Sequence, residues 1–386
     1  MSDQPSKKNL FLSFLRLGST AFGGPAMVAH IREMAVSRHG WLDDQTFKNG
    51  VALCQSIPGA TAIQMAAFVG LKSRGVAGAL VSYIGFGLPA FLLMLTFSIL
   101  YARYNSLPEI GSLFGGLQVI VVAIILNALY TFGRGNLRNA ESVIISILSA
   151  LLFWQGISPF VVVAGAGLTG AILSQEVRPD LSYDRGRPKD ILWETRKIVV
   201  LGCLLFAVLV GLYLANVALF TLAAIMLKID FFAFGGGFAS LPLMLHEIVI
   251  VKGWMASGTF MDGIALGQVT PGPIVITAAF VGYMVQGFAG AIVASIAIFT
   301  PSFFMVITLA PIFDRLRSSP YFARVINGIF ASFVGLLLFV FVKFASAVPW
   351  DAVRFLMGLG AFVALIRKVD ILYIIPAGAI LSVIFL

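Results

Sequence analysis

Four short stretches of the chain set helix-breaking residues beside uncharged hydrogen-bonding ones, inside sequence that is otherwise apolar. Two of them are Phe22-Gly23-Gly24-Pro25 and Phe234-Gly235-Gly236-Gly237, the latter followed by Pro242. The other two are Gln55-Ser56-Ile57-Pro58-Gly59-Ala60-Thr61 and Gln268-Val269-Thr270-Pro271-Gly272-Pro273. Proline removes a backbone donor and glycine loosens the helix, so each stretch frees backbone groups. In hydrocarbon an unsatisfied group costs several kcal/mol, so broken backbone persists there only when packed in protein or facing a watery cavity. The helix that restarts after a break presents free N–H groups and the positive end of its dipole, which suits an anion. Gln55, Ser56, Thr61, Gln268 and Thr270 add neutral hydrogen-bonding groups at the same places. A single such motif reads more readily as a kink or a close-packing device. Four of them in matched pairs read as a binding site, with Phe22, Gly23, Gly24, Pro58, Gly59, Phe234, Gly235, Gly236, Pro271 and Gly272 as its backbone.

Charges within apolar segments are costly and therefore functional candidates. Arg16 and Lys228 each stand six residues before a Phe-Gly-Gly motif, where paired cations would attract a divalent anion. Snorkelling to the interface is the competing role, and it weighs evenly for Arg16 near the chain start. Asp230 is either an ion-pair partner of Lys228 or a proton carrier. His30, Glu33, His246 and Glu247 are further proton-relay candidates, although such residues at a helix end are more often simply solvated. Enzyme motifs fail: the position where a second zinc-binding His should follow His246-Glu247 is Ile250. With three His and two Cys, no metal site is expected and no cofactor is called for.

The elements that must position these residues are membrane helices. Hydrophobic residues make up 59% of the 386 and charged ones only 11%, with a mean hydropathy of +0.99. Soluble domains carry about 25% charged residues. The net charge of +9 lies in short loops, as topology signals do, which argues against a nucleic-acid partner. Cys54 and Cys203 form no disulfide framework, and the N-terminus reads as a first membrane segment and not a cleaved signal. Apolar runs give thirteen segments, near 10–34, 50–71, 76–101, 111–132, 142–156, 158–173, 197–217, 218–249, 262–285, 288–313, 325–346, 352–366 and 371–386.

An internal repeat organises them. Ala21-Phe22-Gly23-Gly24 recurs at Ala233 to Gly236, Gly40-Trp41 at Gly253-Trp254, and Ala66 to Gly70 letter for letter at Ala278 to Gly282. The spacing stays at 212 or 213 residues. The expected organisation is a first half over 1–173, a basic cytoplasmic linker plus an unpaired helix over 174–217, and a second half over 218–386. Segment 197–217 has no counterpart, so an odd number of crossings separates the halves and the second is expected inverted. Loop charges agree: Lys72 and Arg74 on one side correspond to Gln286-Gly287 on the other. The fold class is therefore an all-α polytopic membrane protein with two inverted repeats and broken helices. Whether the Pro-Gly segments cross or re-enter stays open, and the inversion depends on it.

Taken in order, Phe22 to Pro25, His30 to Met34, Gly40-Trp41, Gln55 to Gly59 and their second-half partners resemble the chromate ion transporter family in its long, two-half form, over essentially the whole chain. The resemblance implies a multi-pass protein of a prokaryotic cytoplasmic membrane that exports chromate on the membrane potential or proton gradient; the loop charges put the N-terminus inside. Sulfate is a look-alike anion, and the lipid bilayer is the other partner. The resemblance leaves room for a homodimer. Transport or exchange of sulfate or another small anion, and a passive anion channel, remain the alternatives; an intramembrane enzyme lacks any complete catalytic constellation.

Overall fold

The structure, a computed structural model, describes residues 5–22, 24–173 and 191–386. The basic stretch 174–190 of the expected linker lies outside the described residues. Every regular element among those described is helical: α1 (Lys7–Thr20), α2 (Gly24–Arg32, running on as a π turn Glu33–Arg38), α3 (Asp44–Ser56), α4 (Thr61–Tyr104), α5 (Pro108–Asn136), α6 (Ala140–Trp154), α7 (Pro159–Leu173) and α8 (Ile191–Ala215). The second half supplies α9 (Val217–Phe232), α10 (Gly237–Met244, then a π turn Leu245–Val251), α11 (Ser257–Val269), α12 (Thr277–Leu309), α13 (Phe313–Arg317), α14 (Pro320–Ala347), α15 (Ala352–Ile366) and α16 (Ile371–Phe385). Among the described residues five stretches are long and apolar enough to cross a bilayer: Thr61–Tyr104, Ile110–Asn136, Arg196–Ala215, Ile274–Leu309 and Pro320–Ala347. The chain is an all-α polytopic membrane protein. Short polar residues start the helices by accepting from free N–H groups, as Ser6 does from Asn9, Asp43 from Thr46 and Asn139 from Ser142.

The chain divides into two compact units. The first takes Met1–Leu93, Arg178–Gly237 and Pro271–Pro320; the second takes Met94–Val177, Phe238–Thr270 and Tyr321–Leu386. Each unit thus draws segments from both repeat copies.

In the first unit α9 packs along α12, and α8 lies on α9. The Pro-Gly segment near 50–71 does not run straight. A Cβ on Gly50 of α3 would collide with the ring of Phe68 in α4. Gly50 stands six residues before the end of α3 and Phe68 seven after the start of α4. At 1.5 Å per residue, collinear helices would hold them more than about 20 Å apart. The segment therefore folds back at Pro58-Gly59, and the single crossing expected of it is replaced by two short arms side by side.

Helix α4 itself reverses. Arg74 and Gly75 leave helical geometry, Gly75 at φ +65°, and Gly70 and Gly78 then approach so closely that a Cβ on either would strike the other's carbonyl. Gln286 and Gly287 repeat this, with Gly287 at φ +59° and Gly282 against Gly290. The Arg74 guanidinium donates through Nε to the Pro5 carbonyl at 2.8 Å, which places Pro5 at this turn.

In the second unit α5 is the central helix, packed by α11, α15 and α16, while α6 pairs with α7. Small residues allow the contacts: Gly335 meets the Ser146 carbonyl, Gly328 meets that of Ala166, and Gly116 meets Ser382. A buried carboxylate ties this unit together. Asp262 of α11 accepts from the Tyr101 hydroxyl at 2.7 Å and from Gln118 Nε2 at 2.8 Å.

Candidate functional site

The helix breaks of the two repeat copies meet inside the first unit. The Gly59 N–H donates to the Ala233 carbonyl at 2.9 Å, and the Gly272 N–H donates to the Ala21 carbonyl at 3.0 Å. Gly59 and Gly272 are equivalent in the repeat, as are Ala21 and Ala233. The two bonds are therefore one contact made twice, each Pro-Gly turn docking on the Phe-Gly-Gly break of the other copy. Gly59 at φ +112° and Gly272 at φ +103° hold conformations that L side chains rarely adopt. Each turn also rests beside a proline within a helix of the other copy. A Cβ on Gly59 would strike Ser302, next to Pro301 of α12, and one on Gly272 would lie 2.9 Å from Ala90, next to Pro89 of α4.

The glycine turn Gly235-Gly236-Gly237 sits at the start of α4. A Cβ on Gly236 would come 3.9 Å from Thr61 Oγ1, and one on Gly237 would come 3.0 Å from Ile274 and 3.9 Å from Ala60. The first ladder bond of α4 is Gln64 N–H to the Ala60 carbonyl at 3.1 Å, so the N–H groups of Thr61, Ala62 and Ile63 remain outside the helix ladder. N–H groups outside the ladder and the positive end of a helix dipole, close to a turn without side chains, are chemistry that can accept an anion.

Around this backbone frame lies a buried polar group that the motifs do not announce. Asp230, fully buried on α9, accepts through Oδ2 from the Ser302 N–H at 2.7 Å and the Ser302 hydroxyl at 2.5 Å. Gln64, also fully buried, donates from Nε2 to the Pro58 carbonyl at 2.5 Å. The Tyr83 hydroxyl donates to the Phe299 carbonyl at 2.7 Å and has Asp230 and Ser302 as electrostatic neighbours.

The first unit brings Pro58, Gly59, Thr61, Asp230, Gly235, Gly236 and Gly272 together around the breaks, with Pro58, Gly59, Pro271 and Gly272 buried. Ser56 bonds back to the Ala52 carbonyl at 2.7 Å, while Gln55 is exposed and Phe22 and Phe234 are half-buried. Gly23 lies outside the described residues, and Gly24 begins α2. Gln268 and Thr270 belong to the second unit, where the Thr270 hydroxyl bonds the Gly267 carbonyl at 2.9 Å. Arg16 and Lys228 are both exposed. Lys228 is two residues from Asp230, and i, i+2 positions do not share a helix face; the hydrogen bonds of Asp230 go to Ser302. His30 and Glu33 are exposed at the far end of the α2 segment, Glu33 bonded to Arg38. His246 and Glu247 lie in the π turn of the second unit, with Glu247 buried. Sequence reasoning missed Gln64, Tyr83 and Ser302. Their signal is that the repeat replaces each: Gln64 by Ile276, Ser302 by Ala90, and Tyr83 by Ser295.

Fold and breaks together define a polytopic membrane protein built on repeats with interrupted helices, an architecture that secondary transporters use. The model of the family described as Chromate transporter matches residues 8–171 and again 220–383. The chain belongs to the chromate transporter family. It is 42% identical over 386 residues to an uncharacterized transporter of Methanocaldococcus jannaschii, covering 100% of this chain and 96% of that one. It is 28% identical to a probable chromate transport protein of Synechococcus elongatus, over 98% of this chain and 96% of the relative. A chromate transport protein of Pseudomonas aeruginosa is also 28% identical, over 93% and 86%. No solved structure matches the chain.

Proposed function

We propose that this chain is a secondary transporter that exports chromate across a prokaryotic cytoplasmic membrane, driven by the proton-motive force. The observation that carries the reading is the reciprocal pair of bonds, Gly59 to Ala233 and Gly272 to Ala21, which gathers the breaks of both copies in one place. A tetrahedral dianion needs several donors converging on it and little positive side-chain charge if it is to be released. Backbone N–H groups at a helix start supply that. Arg16 and Lys228 act on this reading from the approach to the site, drawing the dianion toward the breaks.

The same geometry supports inverted halves. Pro5 lies at the Arg74 turn, and the fold-back at Pro58-Gly59 returns the chain from residue 44 to that level. The stretch from residue 5 to 43 thus starts and ends on one face, as a second re-entrant pair with its tip at Ala21. The segments left to cross between equivalent points are the second arm of α4, then α5, α6, α7 and α8. Five is odd, so the second copy is inverted. With Lys72, Arg74, Arg134 and Arg138 on the cytoplasmic side, the N-terminus is inside. An inverted pair of copies suits alternating exposure of the shared breaks to the two faces.

Everted vesicles carrying the chain should accumulate radiolabelled chromate when a proton gradient is imposed, and sulfate in excess should reveal by competition whether it shares the site. A chain that only dissipates a chromate gradient is a channel, and one that moves no chromate above empty vesicles refutes the proposal.

A further inference from the structure

We propose that Asp230 Oδ1 and Gln64 Oε1 together bind one monovalent cation, a proton or a sodium ion, beside the Gly59 turn in the first unit. Both side chains are fully buried, and neither of these oxygens has a hydrogen-bond partner among the described residues. The orientation of the Gln64 amide is fixed by its neighbour. Nε2 must face the Pro58 carbonyl, which only a donor can satisfy, so Oε1 is the end left over. On Asp230 both donors, the N–H and hydroxyl of Ser302, go to Oδ2 and leave Oδ1 bare. Gln64 and Ser302, the hydrogen-bond partner of Asp230, meet at one turn: a Cβ on Gly59 would lie 2.8 Å from Gln64 Nε2 and would collide with Ser302 Oγ. Buried oxygens without donors are costly, a carboxylate most of all, and a cation shared between them removes both costs at once.

Among the described residues no cation acts on Asp230. From α4 it is faced by the Tyr83 phenol, with the Cys54 thiol of α3 near that phenol, and from α12 by Ser302; Lys228 on its own helix is exposed. The repeat adds an independent argument. Asp230, Ser302 and Gln64 correspond to Gly18, Ala90 and Ile276, so the second-copy pair and the first-copy amide have no polar equivalents. The backbone frame is two-fold and the cation site is single. Given the transport reading, one cation would bind off the symmetry axis and touch the Gly59 turn, so its charge is available to the anion held by the same turn.

Thermal unfolding of the purified full chain in detergent, without any anion substrate, tests this apart from the transport reading. The midpoint is measured while sodium chloride replaces choline chloride at constant ionic strength, and again across pH 5 to 8. The wild type is expected to shift by a few degrees with sodium or, if the ion is a proton, with pH alone. Asp230→Asn and, as a second variant of similar volume, Gln64→Met should each lose that response. If both variants fold and follow the wild type in sodium and in pH, or if the wild type responds to neither, the site does not exist. Chromate flux in vesicles is a separate criterion: its absence would overturn the transport reading and leave this binding result standing.

Discussion

Replacing Gly59 by alanine probes the frame at its tightest point. At φ +112° an alanine is strained whatever space it has, at a cost of about 1–3 kcal/mol. The added methyl would also collide with Ser302 Oγ and lie 2.8 Å from both Ser302 Cβ and Gln64 Nε2. Crowding of a packed interior costs about 1–3 kcal/mol more. The sum is roughly 2–6 kcal/mol, and the Gly59 to Ala233 bond is displaced with it. Gly40→Ala is the control, because Gly40 has φ +58° but nothing within 4 Å of a Cβ, so only the left-handed backbone cost of about 1–2 kcal/mol applies. Ser302→Ala separates the two terms. It removes the hydroxyl that the new methyl would strike, so the double variant should lose less than the two singles together, by about 0.5–3 kcal/mol. Unfolding midpoints of the purified variants give the stability order, and chromate uptake normalised to protein in the membrane gives the functional one. If Gly59→Ala costs no more than Gly40→Ala and shows no coupling to Ser302, the packing argument for the turn is wrong.

Other outcomes follow from the same geometry. Tyr101→Phe leaves the buried Asp262 with Gln118 alone and should cost about 1–3 kcal/mol, seen as a lower unfolding midpoint. Asp43 caps α3 through Thr46, and those hydrogen bonds hold its carboxyl below the usual value of 3.8. A depressed carboxylate stabilises fully above its unfolded pKa and loses that contribution as pH falls through the folded one. Asp43→Ala should therefore lower the midpoint at pH 7, by an amount equivalent to about 1 kcal/mol, and the difference should vanish well below pH 3.8. Single cysteines at Lys72 and at its counterpart Met284, in a chain with Cys54 and Cys203 replaced, should react with an impermeant thiol reagent from opposite faces. Reaction from one face would make the halves parallel. Arg16→Ala and Lys228→Ala should each abolish chromate resistance at normal membrane expression; full resistance would leave that cation as a topology anchor.

Much of this was legible in the residues, and the limits have physical causes. The repeat is written in Gly, Pro and Phe, which act through backbone conformation and leave a local signature. The kinks at Gly75 and Gly287 and the left-handed turns at Gly59 and Gly272 were thus visible as letters. Their pairing across copies was not, because Gly59 and Ala233 are joined by a bond between residues 174 positions apart. The letters leave the fold-back at Pro58 open for a related reason: a broken crossing and a re-entrant hairpin have the same composition. Asp230 stands out as a charge in an apolar run, but its hydrogen-bond partner Ser302 is 72 positions away and the neighbouring letters do not reveal it. Gln64 carries no charge, and its type alone does not mark it. Polar residues that a repeat replaces with apolar ones, as Ile276 replaces Gln64, would have flagged it. The compact units could not be read from contiguous halves, because each is assembled from segments of both copies.

The central claim is that the paired helix breaks hold the anion, and equilibrium binding of radiolabelled chromate to the purified chain tests it most directly. Saturable binding by the wild type and by Gly40→Ala, lost in Gly59→Ala and in Gly272→Ala at equal folded protein, is the predicted result. Binding that survives both Gly59→Ala and Gly272→Ala unchanged would place the anion elsewhere and contradict the account.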